Sequence, residues 1–136
     1  MALIEWNDKL SIKISSIDDQ HRKLVNMINS LHDAMQKGDS KEVVGKVLQG
    51  LSDYTVKHFQ YEEKLFADYG YSGAGEHKRE HDNLLKEVTD LKTKFELDAN
   101  FLISIQVLRF LKKWLETHIQ GTDMLYSPFL KEKGVQ

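Results

Sequence analysis

Proline occurs once in the 136 residues, at Pro128, so almost the whole chain is free to run in long uninterrupted helices. Apolar residues then fall at helical spacing in four segments. Leu24, Ile28, Leu31 and Met35 recur at steps of four, three and four, with Ser16 and Asp19 placed as a capping box and Gly38 closing the far end. Val44, Val47, Leu51, Tyr54 and Leu65 mark a second helix, entered at Asp39 or Ser40 with Glu42 in its first turn and stopped near Gly70. After the breaker stretch Ser72-Gly73-Ala74-Gly75, a third helix carries Leu84, Val88, Leu91 and Phe95. Phe101, Ile105, Leu108, Leu111 and Leu115 mark a fourth, capped by Asp98 or Asn100 and ended by Gly121. Short connections make neighbouring helices antiparallel, which predicts an all-α, up-down-up-down four-helix bundle.

The flanks read differently. Leu10, Ile12 and Ile14 alternate as in a strand, yet no second strand-like segment exists to pair with them, which predicts an extended N-terminal arm over residues 1–16 lying on a bundle of residues 17–120. Trp6 is its expected anchor. Within a C-terminal segment 121–136, Ser127 and Pro128 fit the N-cap and first position of a short last helix over 128–133. Residues 1–136 thus read as one domain. With 19 basic against 21 acidic residues there is no basic field to neutralise a phosphate backbone, so nucleic acid is not an expected partner. The absence of cysteine rules out disulfides, a thiolate nucleophile, Cys-ligated zinc and an iron–sulfur cluster held by this chain. The N-terminus has neither a basic region nor a long apolar run, and no later run approaches membrane-spanning length. The expectation is a cytoplasmic protein without membrane insertion, more readily a monomer than an oligomer.

Each apolar seam, extended by its own period, reaches a polar residue that burial penalises unless it is paired or bound to metal. His21 lies three before Leu24. His58 and Glu62 fall between Leu51 and Leu65, His77 and His81 precede Leu84, and His118 follows Leu111 and Leu115, which puts five of the six histidines in seams. In an alternating bundle the starts of helices one and three and the ends of two and four are the same end of the molecule. Asp123 joins them only with help, because an ideal helix places a residue at i+5 about 140° away. Gly121 or a local wide turn would bend it back. His32 is the contrast: eleven residues, or roughly 16 Å, along the helix from His21, it reads as an ordinary side chain. Glu63 points about 100° away from Glu62 and is expected to be solvated or to stand behind the ligands.

Seven protein ligands exceed what one tetrahedral zinc takes, and imidazole with carboxylate suits two octahedral first-row ions bridged by the carboxylates, iron foremost. No glutamate is followed three residues later by histidine, so this is not the ferritin-like pattern. Asp18-Asp19-Gln20-His21, His58-Phe59-Gln60-Tyr61-Glu62-Glu63, His77-Lys78-Arg79-Glu80-His81 and His118-Ile119-Gln120-Gly121-Thr122-Asp123 together resemble the hemerythrin family, in particular its single-domain bacteriohemerythrins, over nearly the whole chain.

The resemblance implies two iron ions bridged by an oxo or hydroxo group and by Glu62 and Asp123. His77, His81 and His118 would complete one ion, and His21 and His58 would serve the other, leaving a position for dioxygen. It further implies reversible dioxygen binding for storage or delivery inside the cell, with an oxygen-consuming enzyme or other recipient as partner. The alternatives are a di-iron oxidase, a peroxidase, a nitric-oxide-handling enzyme or an oxygen-sensing module. No convergent substrate acid or base stands beside the metal ligands, which favours the carrier. Leu24, Phe59, Trp114 and Ile119, each on or beside a ligand-bearing turn, are candidates for the walls of a dry oxygen pocket. Tyr126, three residues after Asp123, is placed to close it.

Overall fold

A computed structural model of the chain describes residues 3–97 and 105–136. Asp98, Asn100 and Phe101, expected to open the fourth helix, lie outside the described residues. Helices α1 (Ser15–Gln36), α2 (Lys41–Tyr69), α3 (Ala74–Leu97) and α4 (Ile105–Thr117) form the bundle, α1 packing on α2 and α4, and α2 on α3. Of the predicted seams, Leu24, Ile28 and Leu31 from α1, Val44 and Leu51 from α2, Leu84, Val88, Leu91 and Phe95 from α3, and Leu108, Leu111 and Leu115 from α4 are buried, whereas Met35, Val47, Tyr54 and Leu65 are only partly covered and α2 turns Leu48 and Phe66 fully into the core instead. Gly45 lets α2 and α3 approach closely, since a Cβ there would lie 3.1 Å from the Phe95 ring.

Several helix ends follow the local chemistry. The Ser40 hydroxyl accepts the Val43 N–H and starts α2, and Gly70, in the left-handed region at φ 72°, ends it. Gly38, at φ 70°, closes α1 with the Asp39 N–H donating to the Ala34 carbonyl and its own N–H to Met35, the paired bonds of a Schellman motif.

The start of α1 departs from the expected capping box. The helix begins at Ser15 with Ile14 as N-cap and no side-chain cap, so Ser16 and Asp19 do not play that part. Asp18 takes over instead: its buried carboxylate accepts the Ile12 N–H at 2.9 Å and the Ser11 hydroxyl at 2.6 Å, tying the arm to the first turn, where the helix dipole also favours a negative charge. The arm holds a single turn of 3-10 helix, Asp8–Leu10, and Leu10, Ile12 and Ile14 are all buried against the bundle. Farther out, the Asn29 amide clamps Ile4 by accepting its N–H and donating to its carbonyl, each at 2.8 Å. Trp6 lies under the Arg22 guanidinium, 4.8 Å from the ring centre.

The C-terminal end also departs from expectation. Gly121 does not end the fourth helix: a π-helical turn, His118–Asp123, carries the winding from α4 straight into α5 (Met124–Glu132). The last helix therefore begins at Met124 and Pro128 lies inside it. No cap is required at Ser127, because the preceding turn already supplies acceptors such as Ile119 O for the Met124 N–H. The Ser127 hydroxyl is spent on a short hydrogen bond to the Ile12 carbonyl, which fastens α5 to the arm.

Candidate metal centre

Seven ionisable side chains meet at one end of the bundle, none more than 3% exposed: His21, His58, Glu62, His77, His81, His118 and Asp123. The (i, i+4) pairs His58/Glu62 on α2 and His77/His81 on α3 each present two side chains on one helical face. Asp123 reaches them through the π-helical turn. The wider winding supplies the extra residue per turn that an α-helix lacks at i+5, so His118 and Asp123 face the same way. This is the local wide turn the spacing called for, and Gly121 has no steric part in it, since a Cβ there would meet nothing within 4 Å.

The donors fall into two overlapping groups, each with its ligand atoms within 4.8 Å of one another: Glu62 with His77, His81 and His118, and Glu62 with His21, His58 and Asp123. Both carboxylates face both sets of histidines. Glu62 Oε1 lies 3.0 Å from His58 Nε2 and 3.3 Å from His81 Nε2. Asp123 divides its oxygens, with Oδ1 at 2.9 Å from His77 Nε2 and 3.1 Å from His118 Nε2, and Oδ2 at 3.1 Å from His21 Nε2.

These separations have hydrogen-bond length without hydrogen-bond direction. Nε2 of His21, His77, His81 and His118, Glu62 Oε1 and both Asp123 oxygens are buried with no hydrogen-bond partner. Each such group costs about 1–3 kcal/mol of unrecovered desolvation. They are aimed at common points between them rather than at each other, as donors around cations are, and two such points accommodate two ions.

The charges tell the same story. Burial and the neighbouring Asp123 push the Glu62 carboxyl up, but His58 and His81 more than reverse this and leave it well below the usual carboxylate range. Burial likewise opposes ionisation of Asp123, and His118, His21 and His77 override it. His118 is raised above its ordinary value because Asp123, Glu62 and Glu80 outweigh burial. Without a cation, His118 holds its proton more readily than a free imidazole, and a metal ion would displace it.

Aromatic rings wall the site. Phe59 stacks on His81 with ring centres 3.7 Å apart, and Trp114 stacks on His118 at 4.4 Å. Leu24, Phe59 and Trp114 line one apolar cavity of about 20 Å³ that continues down the bundle past Leu84 and Leu111, with room for one small molecule. The hydroxyl of Thr55, also on its wall, is satisfied by the Leu51 carbonyl at 2.7 Å, which leaves the cavity dry in character. Ile119 and Tyr126 are fully buried but are not on this cavity. Tyr126 donates a short hydrogen bond to Glu62 Oε2 and packs on Phe66 and His77, so its phenol, raised far above its ordinary pKa by burial and by Asp123 and Glu62, holds a carboxylate instead of closing the pocket.

Of the groups behind the histidines, spacing on single helices offered only Glu63, as solvated or standing behind the ligands, and not the histidine it faces. Gln20 faces His58, Glu63 faces His81, and Glu80, braced by Thr122, approaches His118. Each partner comes from another helix or turn, so no periodicity connects them. His32, at the other end of α1, is buried and apart from the cluster.

Residues 13–130 match the model of the hemerythrin HHE cation binding domain. A bacteriohemerythrin of Stenotrophomonas maltophilia is 38% identical over 131 residues, covering 96% of this chain and 84% of that protein. A second, from Methylococcus capsulatus, is 37% identical and covers 96% and 98% respectively. The crystal structure of a wild-type hemerythrin superimposes with a TM-score of 0.88 at 36% identity, over 93% of this chain and 97% of that one. With the match spanning arm, bundle and π-helical turn alike, the chain belongs to the hemerythrin family.

Proposed function

We propose that this chain binds dioxygen reversibly at a pair of irons held by His21, His58, Glu62, His77, His81, His118 and Asp123, and serves to store or deliver oxygen. The observation that carries the reading is the uneven sharing of donors: three histidines on one side, two on the other, and two carboxylates facing both. An ion with fewer protein ligands keeps a position for an exogenous molecule. Iron supplies the electrons that dioxygen takes up on binding and returns on leaving.

The protein's part is to keep that exchange reversible. His77, His81 and His118 fill one side of the centre, while His21 and His58 leave the other less crowded. Leu24, Phe59 and Trp114 bring an apolar cavity toward it, which keeps water and small anions from competing. Tyr126 fixes the orientation of Glu62 through its hydroxyl. Five neutral imidazoles against two carboxylates give the ions modest negative charge, which disfavours more highly oxidised states.

Cellular placement in the cytoplasm and a monomeric state belong to the same proposal; among the described residues no helix is long and apolar enough to cross a membrane. The test is a spectrum of iron-loaded protein, reduced and then aerated. Colour that appears in air and bleaches under vacuum, with two irons per chain, supports the carrier. One-way oxidation with peroxide release would replace it by an oxidase.

A further inference from the structure

The inward nitrogens of the five histidines are alike, but their outer nitrogens are backed unequally. His81 Nδ1 lies 3.0 Å from Glu63 Oε2. His118 Nδ1 lies 3.5 Å from Glu80 Oε1, and the Thr122 hydroxyl steadies that carboxylate at 3.0 Å from both oxygens. On the other side, His58 Nδ1 meets the neutral amide oxygen of Gln20 at 2.6 Å; Nδ1 of His21 here, and of His77 in the three-histidine group, has no hydrogen-bond partner, and Glu80 faces His118 as a charge without a hydrogen bond. Among the described residues, both carboxylates therefore stand behind the three-histidine group, Glu63 hydrogen-bonded and Glu80 as a nearby charge, and none behind the two-histidine group.

An ionised carboxylate only accepts, so Glu63 requires the hydrogen of His81 on Nδ1 and turns the lone pair of Nε2 inward. Its charge also makes the ring a stronger donor, an effect that water weakens only partly, because Glu63 is 29% exposed. Gln20 fixes the same tautomer in His58 without adding charge. Glu80 is farther from its ring and 44% exposed, so its influence is weaker.

We propose that Glu63 and Glu80 are positioning residues that make the two metal positions electronically unequal, stabilising the higher oxidation state at the three-histidine position while Gln20 leaves the two-histidine position less electron-rich. This rests on the ligand assignment above. The same arrangement orders the two one-electron steps, with the three-histidine ion oxidised at the lower potential.

Anaerobic redox titration of the iron-loaded protein, followed by visible absorption, reads both midpoints. In Glu63→Gln the lower midpoint rises and the upper one stays. Glu80→Gln moves the same midpoint by less. Gln20→Glu places a carboxylate behind His58 and lowers the upper midpoint alone. Iron release to excess chelator gives a second readout, accelerated about 10- to 100-fold in Glu63→Gln. Where Glu63→Gln keeps too little iron to titrate, Gln20→Glu carries the test against the parent protein. Movement of both midpoints together in Gln20→Glu, or of neither, overturns the proposal. A wrong ligand assignment shows itself separately, as a parent chain that holds fewer than two irons.

Discussion

His21 and His32 lie on one helix, both buried, roughly 16 Å apart along its axis. Around His21 stand four more imidazoles and two carboxylates, whose orphaned atoms face common points. His32 Nδ1 is also buried without a hydrogen-bond partner, but it stands alone, 3.9 Å from the carboxylate of Asp33, its own neighbour in sequence. The two ends of the bundle thus bury the same side chain to different effect: His32 belongs to no group of ligating side chains, whereas around His21 the packing is arranged around charge. A buried histidine is therefore not in itself a sign of metal; convergence of several from different helices is.

The sharpest way to break this comparison is to remove one histidine from each end. His58→Ala deletes one of only two imidazoles on the less crowded side and should abolish reversible oxygenation, with loss of at least one iron per chain. His32→Ala should keep both irons and the oxygenated spectrum. Iron analysis and aeration of the two proteins check this, and equal effects would dissolve the distinction between the ends.

Much of that distinction was legible in the sequence, because it depends on two periodicities that are local: the apolar seams, and the histidines that interrupt them at matching ends. Six of the seven proposed ligands and the helix ends at Gly38, Ser40 and Gly70 belong to this class; Asp123 lies off the α-helical spacing and comes in through the π-helical turn. What escaped was set by contacts between distant segments. Ser127 and Pro128 have the chemistry of a helix start, but α5 already runs on from the turn before it, and the Ser127 hydroxyl is taken by Ile12, 115 residues away. Asp18 displaces the capping box for the same reason, since its partners lie in the arm. Gln20 and Glu80 find histidines on other elements that no helical spacing connects to them, and for Glu63 the spacing offered a place behind the ligands but not its partner, His81.

Protons distinguish the ends next. In the metal-free protein His118 has a folded-state pKa raised above the ordinary 6.5 by Asp123, Glu62 and Glu80. The folded state then binds more protons than the unfolded one, so this contribution to stability is full below pH 6.5 and is lost as pH rises through the raised value. Apoprotein should accordingly melt at lower temperature as pH is raised across that window. Iron-loaded protein should not, because the ion holds the imidazoles neutral. Melting curves of both forms against pH provide the check; parallel behaviour would mean that the ion and the protons do not compete for the same groups.

Leu24 and Leu31, both buried on α1, separate the ends by function at equal cost in stability. Either one shortened to alanine should lose about 2–5 kcal/mol. Leu24 also lines the apolar cavity toward the centre, and enlarging it admits water or small anions. Leu24→Ala should therefore convert the oxygenated form to the ferric state faster than the parent, while Leu31→Ala leaves that rate unchanged. Decay of the oxygenated spectrum, at a temperature where all three proteins are folded, reads the difference.

The smallest expected effect concerns what holds the π-helical turn. Gly121 sits in its middle, yet its backbone is not among the positive-φ glycines and a Cβ would meet nothing within 4 Å. Neither chirality nor space calls for glycine there. The wide winding is then maintained by its ends: Asp123 is drawn to the histidines, and Ser127, one turn on, is fastened to the arm. On this account Gly121→Ala restricts the unfolded chain without straining the folded one and stabilises by about 0.4–1 kcal/mol, with both irons retained. Gly50, on α2 away from the centre, also has open space where a Cβ would go and should give a similar gain. Thermal melts of the two variants make the comparison. If Gly50→Ala gains and Gly121→Ala loses stability or iron, the turn depends on the freedom of glycine itself, and the ligand end is shaped by local backbone preference rather than by the pull of Asp123 toward its partners.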